Sequence, residues 1–366
     1  MTPALPRKNP GAPLSALALG LWLGMALHPA AAAAPAPEWP RVPGAAFALR
    51  NAKVTTPVLA FDAKGRELMA FNCAPRGRGL LGRFHELVCD GGSFHAREAG
   101  PWIGLQVAKS GAFTLEATLT PAAVPPKSLG VVLAYGDDTG EDAALLQDQG
   151  GLSLRLAGAQ PFALFAPAAG TPVHVLIACA KDQWVAYRDG RPVKTGPLAA
   201  GASAWGTRQL VMGAAWSGAD PWRGRLEALA VFPRALTAEE AAEEAAASRA
   251  VQAGRQPATT IRFRGTLVRQ ATTSDLEKIR PYTRSLTAAE YQVEKVLAGE
   301  WNQPTITVLH WMIMDSKRLP LADRKLGTAL ELSVERVDQH PQLEDCRRDE
   351  LEGDLAAELF YCEADL

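Results

Sequence analysis

Three tryptophans lie close together in the segment 205–223, among charged side chains. The segment reads WGTRQLVMGAAWSGADPWR and contains Trp205, Trp216 and Trp222 together with Arg208. An exposed indole ring can stack on a sugar ring while a neighbouring polar group forms hydrogen bonds. The alternative is that the rings belong to the core, which is the preferred interpretation for Trp222 and stays open for Trp216. Trp205, Trp216 and Arg208 are therefore candidate ligand-binding residues.

A second stretch, YGDDTGEDAALLQDQGG, is rich in carboxylates. Calcium takes six to eight oxygen ligands, and acidic loops at the rim of a β-sandwich can supply them. Asp137, Asp138 and Asp142 are the candidate ligands, which makes calcium the candidate cofactor. The spacing does not match an EF-hand, and the alternative is a solvated acidic loop.

Basic side chains are concentrated between Cys73 and Cys89, where Arg83 and His85 are the candidate ligand-binding residues and Arg76 and Arg78 lie nearby. Guanidinium groups recognise carboxylates through charge-assisted hydrogen bonds. This loop would therefore suit a uronate or an acetylated acidic polymer. The alternative is a solvated, glycine-rich loop.

Motifs for catalysis are not found. A retaining glycosidase needs two carboxylates about 5 Å apart on the same side of a strand, whereas Glu116 and Glu227 each stand alone in their strands. No G-x-S-x-G elbow and no glycine-rich phosphate loop occurs. His310 lies in an apolar strand, where a hydrogen-bonded core histidine is the preferred interpretation. We expect no catalytic residues and a protein that is not an enzyme.

The N-terminal residues have the pattern of a signal peptide. Arg7 and Lys8 precede the apolar run Ser15–Leu27, and small residues follow at 30–34. Residues 1–34 are predicted to be the signal peptide, with an uncleaved anchor as the alternative, and the proline-rich residues 35–45 a linker. We therefore expect export to the periplasm or the outside of the cell, without a transmembrane helix after cleavage.

Export to an oxidising compartment permits disulfide bonds. The cysteines that lie near one another in the sequence are Cys73 with Cys89, and Cys346 with Cys362. Each pair would close a loop of about 15 residues, which stabilises a protein by about 3 kcal/mol in the chain-entropy model. The alternative is free thiols, and Cys179 is expected to be a buried strand residue.

The elements that must position these residues are short strands. Alternating apolar residues, as in GAFTLEATLTP, are separated by turn residues such as Asp189-Gly190, which indicates a two-sheet sandwich over residues 46–250. The segment after Thr237 is helical, and a linker over 251–258 precedes a small β-rich domain over 259–366. The fold class is all-β, with a sandwich followed by a small barrel or open sandwich.

The segments GAFTLEATLTP, GVVLAYGD, HVLIACAKDQWVAYRDGRPV and WRGRLEALAVFPRALTAEE resemble the laminin-G-like jellyroll family of the concanavalin A-like lectin/glucanase superfamily. Arg234, Leu236, Thr237 and Glu240 match the family's R-x-L-[ST]-x-x-E ending. The resemblance implies a jellyroll sandwich that binds carbohydrate or protein. Some relatives in the superfamily are glycosidases, but the acidic motif of those enzymes is not found here.

The C-terminal segment AEYQVEKVLAGEW is similar to the OB-like barrel of the netrin/inhibitor type, although a Cys346–Cys362 pair would sit differently from the disulfides of that type. The combination of domains is also similar to exported proteins of bacterial polysaccharide modification systems. The predicted partner is a polysaccharide or a cell-envelope protein. A net charge of −1 argues against nucleic acid. The alternatives are a structural or protein-interaction role and, third, a glycan-active hydrolase or lyase.

Overall fold

A computed structural model describes residues 39–363, apart from 50–57, 62–66, 72–73, 97–98, 124–127, 158, 199–204, 345 and 354–357. The fold is mostly β, with two sheets forming a sandwich and a third forming a barrel. The predicted all-β sandwich followed by a small barrel is confirmed. The predicted signal peptide lies outside the described residues. No helix in the described part of the chain is long and apolar enough to cross a membrane.

Sheet A forms one layer of the sandwich, and its strands are numbered with all others along the chain. Its members are β1 (Phe47–Leu49), β2 (Val58–Phe61), β3 (Glu67–Phe71), β5 (Leu80–Leu81), β6 (Leu87–Asp90), β8 (Phe113–Pro121), β13 (Val173–Cys179), β14 (Gln183–Arg188), β15 (Arg191–Pro197) and β17 (Arg223–Phe232). The main path runs β15-β14-β13-β8-β17-β1-β2-β3 with antiparallel neighbours.

Sheet B is the second layer. Its members are β4 (Ala74–Gly77), β7 (Gly92–Ala96), β9 (Gly130–Asp137), β10 (Gly140–Asp148), β11 (Gly151–Leu156), β12 (Phe162–Ala163) and β16 (Gln209–Met212). The order is β12-β11-β10-β9-β16-β7-β4. Most of the stretch predicted as an acidic loop is strand β10, because its residues Ala143 to Gln147 are buried between β9 and β11.

The sandwich core follows the predicted alternation. Phe113, Leu115, Ala117 and Leu119 of β8 all lie in the cluster between the two sheets. The side chains between them point to the outer side of sheet A, where helix α2 (Ala238–Ala253) packs. The predicted capping box is present, since Thr237 Oγ1 accepts from the Glu240 amide and Glu240 accepts from the Thr237 amide.

One helix was not expected from the sequence. Helix α1 (Ala99–Ser110) buries Ile103 and Val107 in the sandwich core, although its sequence AGPWIGLQVAKS contains two glycines and a proline. Gly100 and Gly104 are required there, because a Cβ at either position would collide with the backbone of residues 206–208. Tertiary packing therefore overrides the weak helix propensity.

The segment 39–45, part of the predicted linker, is packed against the outer side of sheet A. Trp39 Nε1 donates to Glu116 Oε1 at 2.8 Å, and His174 Nε2 lies 2.9 Å from the same oxygen. Glu244 of α2 accepts hydrogen bonds from the amides of residues 41 and 42 at 3.0 and 2.5 Å. Glu116 and Glu244 are fully buried, so two carboxyl groups fasten this segment in an apolar layer.

The C-terminal domain is a closed five-stranded barrel. Its strands are β18 (Thr260–Gln270), β19 (Ser285–Ala298), β20 (Thr305–Met314), β22 (Ala329–Arg336) and β24 (Leu359–Tyr361), with short additions at β21 (Lys317–Arg318) and β23 (Arg348–Asp349). Pairing of β19 with β20 closes the circle through β24, β22 and β18. His310 is fully buried and hydrogen-bonds Tyr291 Oη at 3.0 Å, as expected for a core histidine.

The sandwich contacts the barrel through the segment 76–90. Leu80 and Val88 share an apolar cluster with Leu286 and Trp311 of the barrel. Arg284 of the barrel donates to the carbonyl oxygens of residues 77 and 79, at 3.1 and 2.5 Å. Burial lowers the pKa of Arg284, and Asp315 opposes this effect. This basic segment, predicted to be a ligand-binding loop, is thus mainly a contact between domains.

Replacing Arg284 by Ala is expected to reduce the free energy of unfolding by about 2 kcal/mol, because two partly buried carbonyl groups would lose a charged donor. Urea unfolding followed by circular dichroism measures the change. The matched control is Arg280→Ala, since Arg280 is exposed and pairs with the exposed Glu277. Equal stability of the two variants would contradict the interface role of Arg284.

The described residues contain no disulfide bond. The predicted Cys346–Cys362 pair is not formed in this structure: Cys346 Sγ points at the Gln342 carbonyl oxygen, 3.6 Å away, while Cys362 lies in the barrel core. Cys73 lies outside the described residues, so its pairing with Cys89 stays a prediction. Cys179 is fully buried, and burial raises the pKa of its thiol.

Candidate functional site

Trp205 is a packing residue of the sandwich. Its ring stacks on Tyr135 with centroids 4.9 Å apart and lies 4.7 Å from the ring of Phe113. The side chain packs against the core cluster between the sheets. The predicted role of Trp205 as a stacking surface for a ligand therefore receives no support from the structure, because the rings of neighbouring aromatic side chains already pack against its ring.

Arg208 is the centre of an ion-pair network at the end of sheet B. Its Nη1 lies 2.7 Å from Asp137 Oδ1, and its Nε lies 3.3 Å from Asp142 Oδ1. Asp142 is buried and also accepts the amide of Gly206 at 2.7 Å. Hydrogen bonds from Thr139, and to a smaller extent from Arg208, lower the pKa of Asp137.

This network changes the interpretation of the predicted calcium ligands. Asp137 and Asp142 both point at the Arg208 guanidinium group, so each already has a positive partner. Asp138 lies in the exposed turn between β9 and β10. Among the described residues, no three His, Cys, Asp or Glu side chains come together in a way that could hold a metal ion. The aspartates therefore form a structural network with Arg208.

Trp216 lies in a different setting. It lines a surface depression of about 430 Å³ on the outer side of sheet B, together with His95, Gln209 and Ser217. His95 comes from β7 and Gln209 from β16, while Trp216 and Ser217 come from the loop that follows β16. Trp216 is half-buried and Ser217 is exposed, so the depression is open to solvent.

The loop that carries Trp216 folds back over sheet B through its own hydrogen bonds. The Trp222 amide donates to the Gly213 carbonyl at 2.9 Å, and the Val131 amide donates to the Asp220 carbonyl at 2.9 Å. Ala215 packs on the small apolar cluster of the outer side of sheet B. Gly213 has a φ of 89°, which a residue with a side chain rarely adopts. The loop is therefore held against the sheet at both ends.

Trp222 anchors this loop in the core. Its side chain is fully buried, and its Nε1 donates to Gln147 Oε1 at 2.5 Å. The preference for a core position of Trp222 agrees with this placement. Three tryptophans that look alike in the sequence thus have different environments, and Trp216 is the one that borders the depression.

Strand alternation explains the other members of the depression. Phe94 and Leu210 point into the core. Their strand neighbours, His95 after Phe94 and Gln209 before Leu210, therefore point outward. Gln209 pairs with Gly136, which pairs with Glu141. A Cβ at Gly136 would lie 3.1 Å from the Gly140 carbonyl oxygen and 3.3 Å from Glu141, so the glycine permits the close approach of β9 and β10 there. His95 Nε2 lies 3.2 Å from Ser93 Oγ.

The arrangement offers an apolar ring face beside an amide, an imidazole and a hydroxyl group. Such a set can contact the C–H face of a polyhydroxylated ligand and hydrogen-bond its edges. Sequence reasoning proposed Trp216 but missed Gln209 and Ser217. The alternating pattern in RQLVM indicates that Gln209 points outward. It does not indicate which outward residues the loop after β16 lies beside.

Comparison with known proteins concerns the sandwich. A laminin-G family model described as "Concanavalin A-like lectin/glucanases superfamily" matches residues 102–242, which confirms the predicted jellyroll for this segment. The segment includes Gln209, Trp216 and Ser217 and begins after His95. No curated protein matches the chain.

The similarity of this chain to solved structures is low, both in sequence identity and in TM-score. Trypanosoma rangeli sialidase is 16% identical with a TM-score of 0.39, and the match covers 57% of this chain and 33% of the sialidase chain. Domain 4 of AbnA, a GH43 extracellular arabinanase from Geobacillus stearothermophilus solved with arabinotriose, is 12% identical with a TM-score of 0.35, covering 54% of this chain and 87% of that domain. The chain thus spans about a third of the sialidase that it matches.

Proposed function

We propose, from the concanavalin A-like lectin/glucanase domain that contains residues 102–242, that this protein binds carbohydrate in the depression of His95, Gln209, Trp216 and Ser217. The binding is non-catalytic, and the protein acts as an exported module that holds a polysaccharide in the periplasm or outside the cell. Export rests on the signal-peptide pattern of residues 1–34. A link to the assembly or modification of exopolysaccharide fits such a module.

The observation that carries the proposal is the position of Trp216. Its indole borders an open depression, whereas the rings of Trp205 and Trp222 are engaged by the core. Aromatic rings supply large contact area to a sugar at low entropic cost, and Gln209 and Ser217 supply neighbouring hydrogen-bonding groups.

The non-catalytic part of the proposal rests on the carboxylates near the depression. Glu141 is bound by Arg155 at 2.7 and 3.1 Å, and Arg208 binds Asp137 and Asp142. General acid and base catalysis of glycoside cleavage needs two carboxyl groups facing a common substrate. Each of these carboxylates faces a guanidinium group instead.

Binding to a glycan array by the purified protein, with calcium and with chelator, tests the proposal. We expect saturable binding in both buffers and a loss of about tenfold or more in the Trp216→Ala variant, because the stacking surface is removed. The matched control is Tyr282→Ala, which removes an exposed aromatic ring from the barrel and should leave binding unchanged.

Folding of both variants is checked by far-UV circular dichroism. The proposal fails if the folded wild-type protein binds no glycan in either buffer, and the protein-interaction alternative would then take its place. Binding that Trp216→Ala and Tyr282→Ala reduce equally would place the ligand elsewhere on the protein.

A further inference from the structure

Resting on the proposed function, we infer that the ligand bound beside Trp216 is a neutral glycan, and that the surrounding face discriminates against uronate, sialate or sulfate groups. This inference reverses the acidic ligand expected from the basic loop around Arg83 and His85. Arg83 Nε donates to the carbonyl oxygen of Gln339 in the barrel at 2.9 Å, and His85 is half-buried in the same turn. That loop therefore belongs to the contact between the two domains.

Among the residues that the structure describes, the lining of the depression carries no carboxylate, guanidinium or ammonium group. Its four described side chains are an imidazole, a carboxamide, an indole and a hydroxyl. The carboxamide and the hydroxyl both donate and accept hydrogen bonds, which suits the hydroxyl groups of a neutral sugar. Gln209 and Ser217 carry no positive charge, so an anionic sugar would find no opposite charge in these two side chains to offset the desolvation of its carboxylate or sulfate.

Two arginines of sheet B and its adjoining loop, Arg155 and Arg208, are already engaged by carboxylates. Arg155 makes two hydrogen bonds to Glu141, at 2.7 and 3.1 Å. The bond from Glu141 opposes the desolvation of Arg155 and raises the pKa of its guanidinium, and the Asp220 charge adds to this effect. Arg208 binds Asp137 and Asp142. An anionic ligand would have to displace a carboxylate from either arginine before it gained a comparable contact.

The net charge of this face is negative. Gly136 pairs with both Gln209 and Glu141, so the Glu141 carboxylate lies in the same cross-strand row as Gln209 of the depression. The strands of sheet B carry two guanidinium groups and four carboxylates, a net charge of −2: Arg76 and Arg155 against Asp137, Glu141, Asp142 and Asp148. Such a field repels polyanions at low salt. At physiological salt, screening limits this repulsion to distances of about 8 Å.

The experiment compares three hexasaccharide classes by titration calorimetry with the full protein, at low and at physiological salt. The probes are neutral hexasaccharides of glucose, mannose and xylose, a hexagalacturonate, and a fully deacetylated glucosamine hexamer. We expect a neutral probe to bind at least about tenfold more tightly than hexagalacturonate, with an affinity that changes less than about twofold with salt.

A charge variant adds a gain-of-binding readout. Glu141→Gln leaves Arg155 without its carboxylate partner, so hexagalacturonate binding is expected to rise by about tenfold and to weaken with salt. The matched control is Glu331→Gln, which releases the exposed Arg262 on the barrel and should not change binding at the depression.

The outcomes separate the inference from the proposed function. The neutral-ligand inference is wrong if hexagalacturonate or the glucosamine hexamer binds the wild-type protein as tightly as every neutral probe does, and if Trp216→Ala abolishes that binding. The proposal of carbohydrate binding would remain intact in that case. Failure of all probes on the folded protein would remove both. An unchanged hexagalacturonate affinity in Glu141→Gln would also count against the inference, because the freed arginine should attract the anion.

Discussion

The Trp222→Ala variant is expected to lose about 3–5 kcal/mol of the free energy of unfolding. The indole is fully buried between the sheets, and Gly130 and Gly224 approach its ring closely. Truncation leaves a large cavity and removes the donor to Gln147, whose side chain is itself buried. Urea unfolding monitored by circular dichroism measures the shift in midpoint at constant slope.

Two controls separate packing from hydrogen bonding and from loop position. Trp222→Phe keeps most of the ring volume and loses the N–H donor, so a smaller cost of about 1–3 kcal/mol is expected. Trp216→Ala, six residues away in the same loop, should change stability by less than about 1 kcal/mol while it weakens glycan binding. Similar destabilisation by Trp216→Ala and Trp222→Ala would contradict the division between a binding tryptophan and a core tryptophan.

The second large effect concerns the pH dependence of stability. Burial, and then repulsion by Glu116, raise the pKa of Glu244 to about 8, although the amides of residues 41 and 42 oppose the shift. In the unfolded chain this carboxyl group has its ordinary pKa of 4.5. At a pH between these two pKa values, the unfolded chain binds fewer protons than the folded protein. The free energy of unfolding should therefore fall as pH rises from about 4.5 to about 8, by up to about 1.4 kcal/mol per unit.

Urea unfolding at a series of pH values from about 5 to about 9 measures this slope. Glu244→Gln should flatten it, because the amide stays neutral and its oxygen can still accept a backbone hydrogen bond from the segment 39–45. The matched control is Glu243→Gln, an exposed neighbour on α2 whose charge makes only the smallest contribution to the raised pKa of Glu244, so the slope should change little. A slope that persists in Glu244→Gln would assign the pH dependence to other groups.

The predicted binding and metal residues illustrate where sequence reasoning stopped. Arg208 and Asp142 have residue types that suit a ligand or a metal, but each is the partner of the other across 66 residues of sequence. Arg83 is likewise bonded to a residue 256 positions away. Charged side chains in strands and loops can pair with many candidates, and only the assembled sheets select one.

The sequence by itself determined the elements whose signals are local. Alternation placed Phe113 and Leu115 in the core, Asp189-Gly190 made the hairpin turn with φ values of 52° and 80°, and Thr237 with Glu240 began α2. These signals act between residues a few positions apart, through side-chain direction, turn chemistry and capping. They were sufficient for the sandwich and for the barrel.

Only the tertiary structure decided which of three tryptophans borders a depression, why a glycine-containing segment forms α1, and that the segment 76–90 is a domain contact. Each of these outcomes depends on close approach between parts of the chain that are distant in sequence, such as Gly104 against residue 206 or Arg284 against the carbonyl oxygen of Gly79. Burial and charge pairing are properties of the packed chain, because a side chain's surroundings exist only after the sheets have assembled.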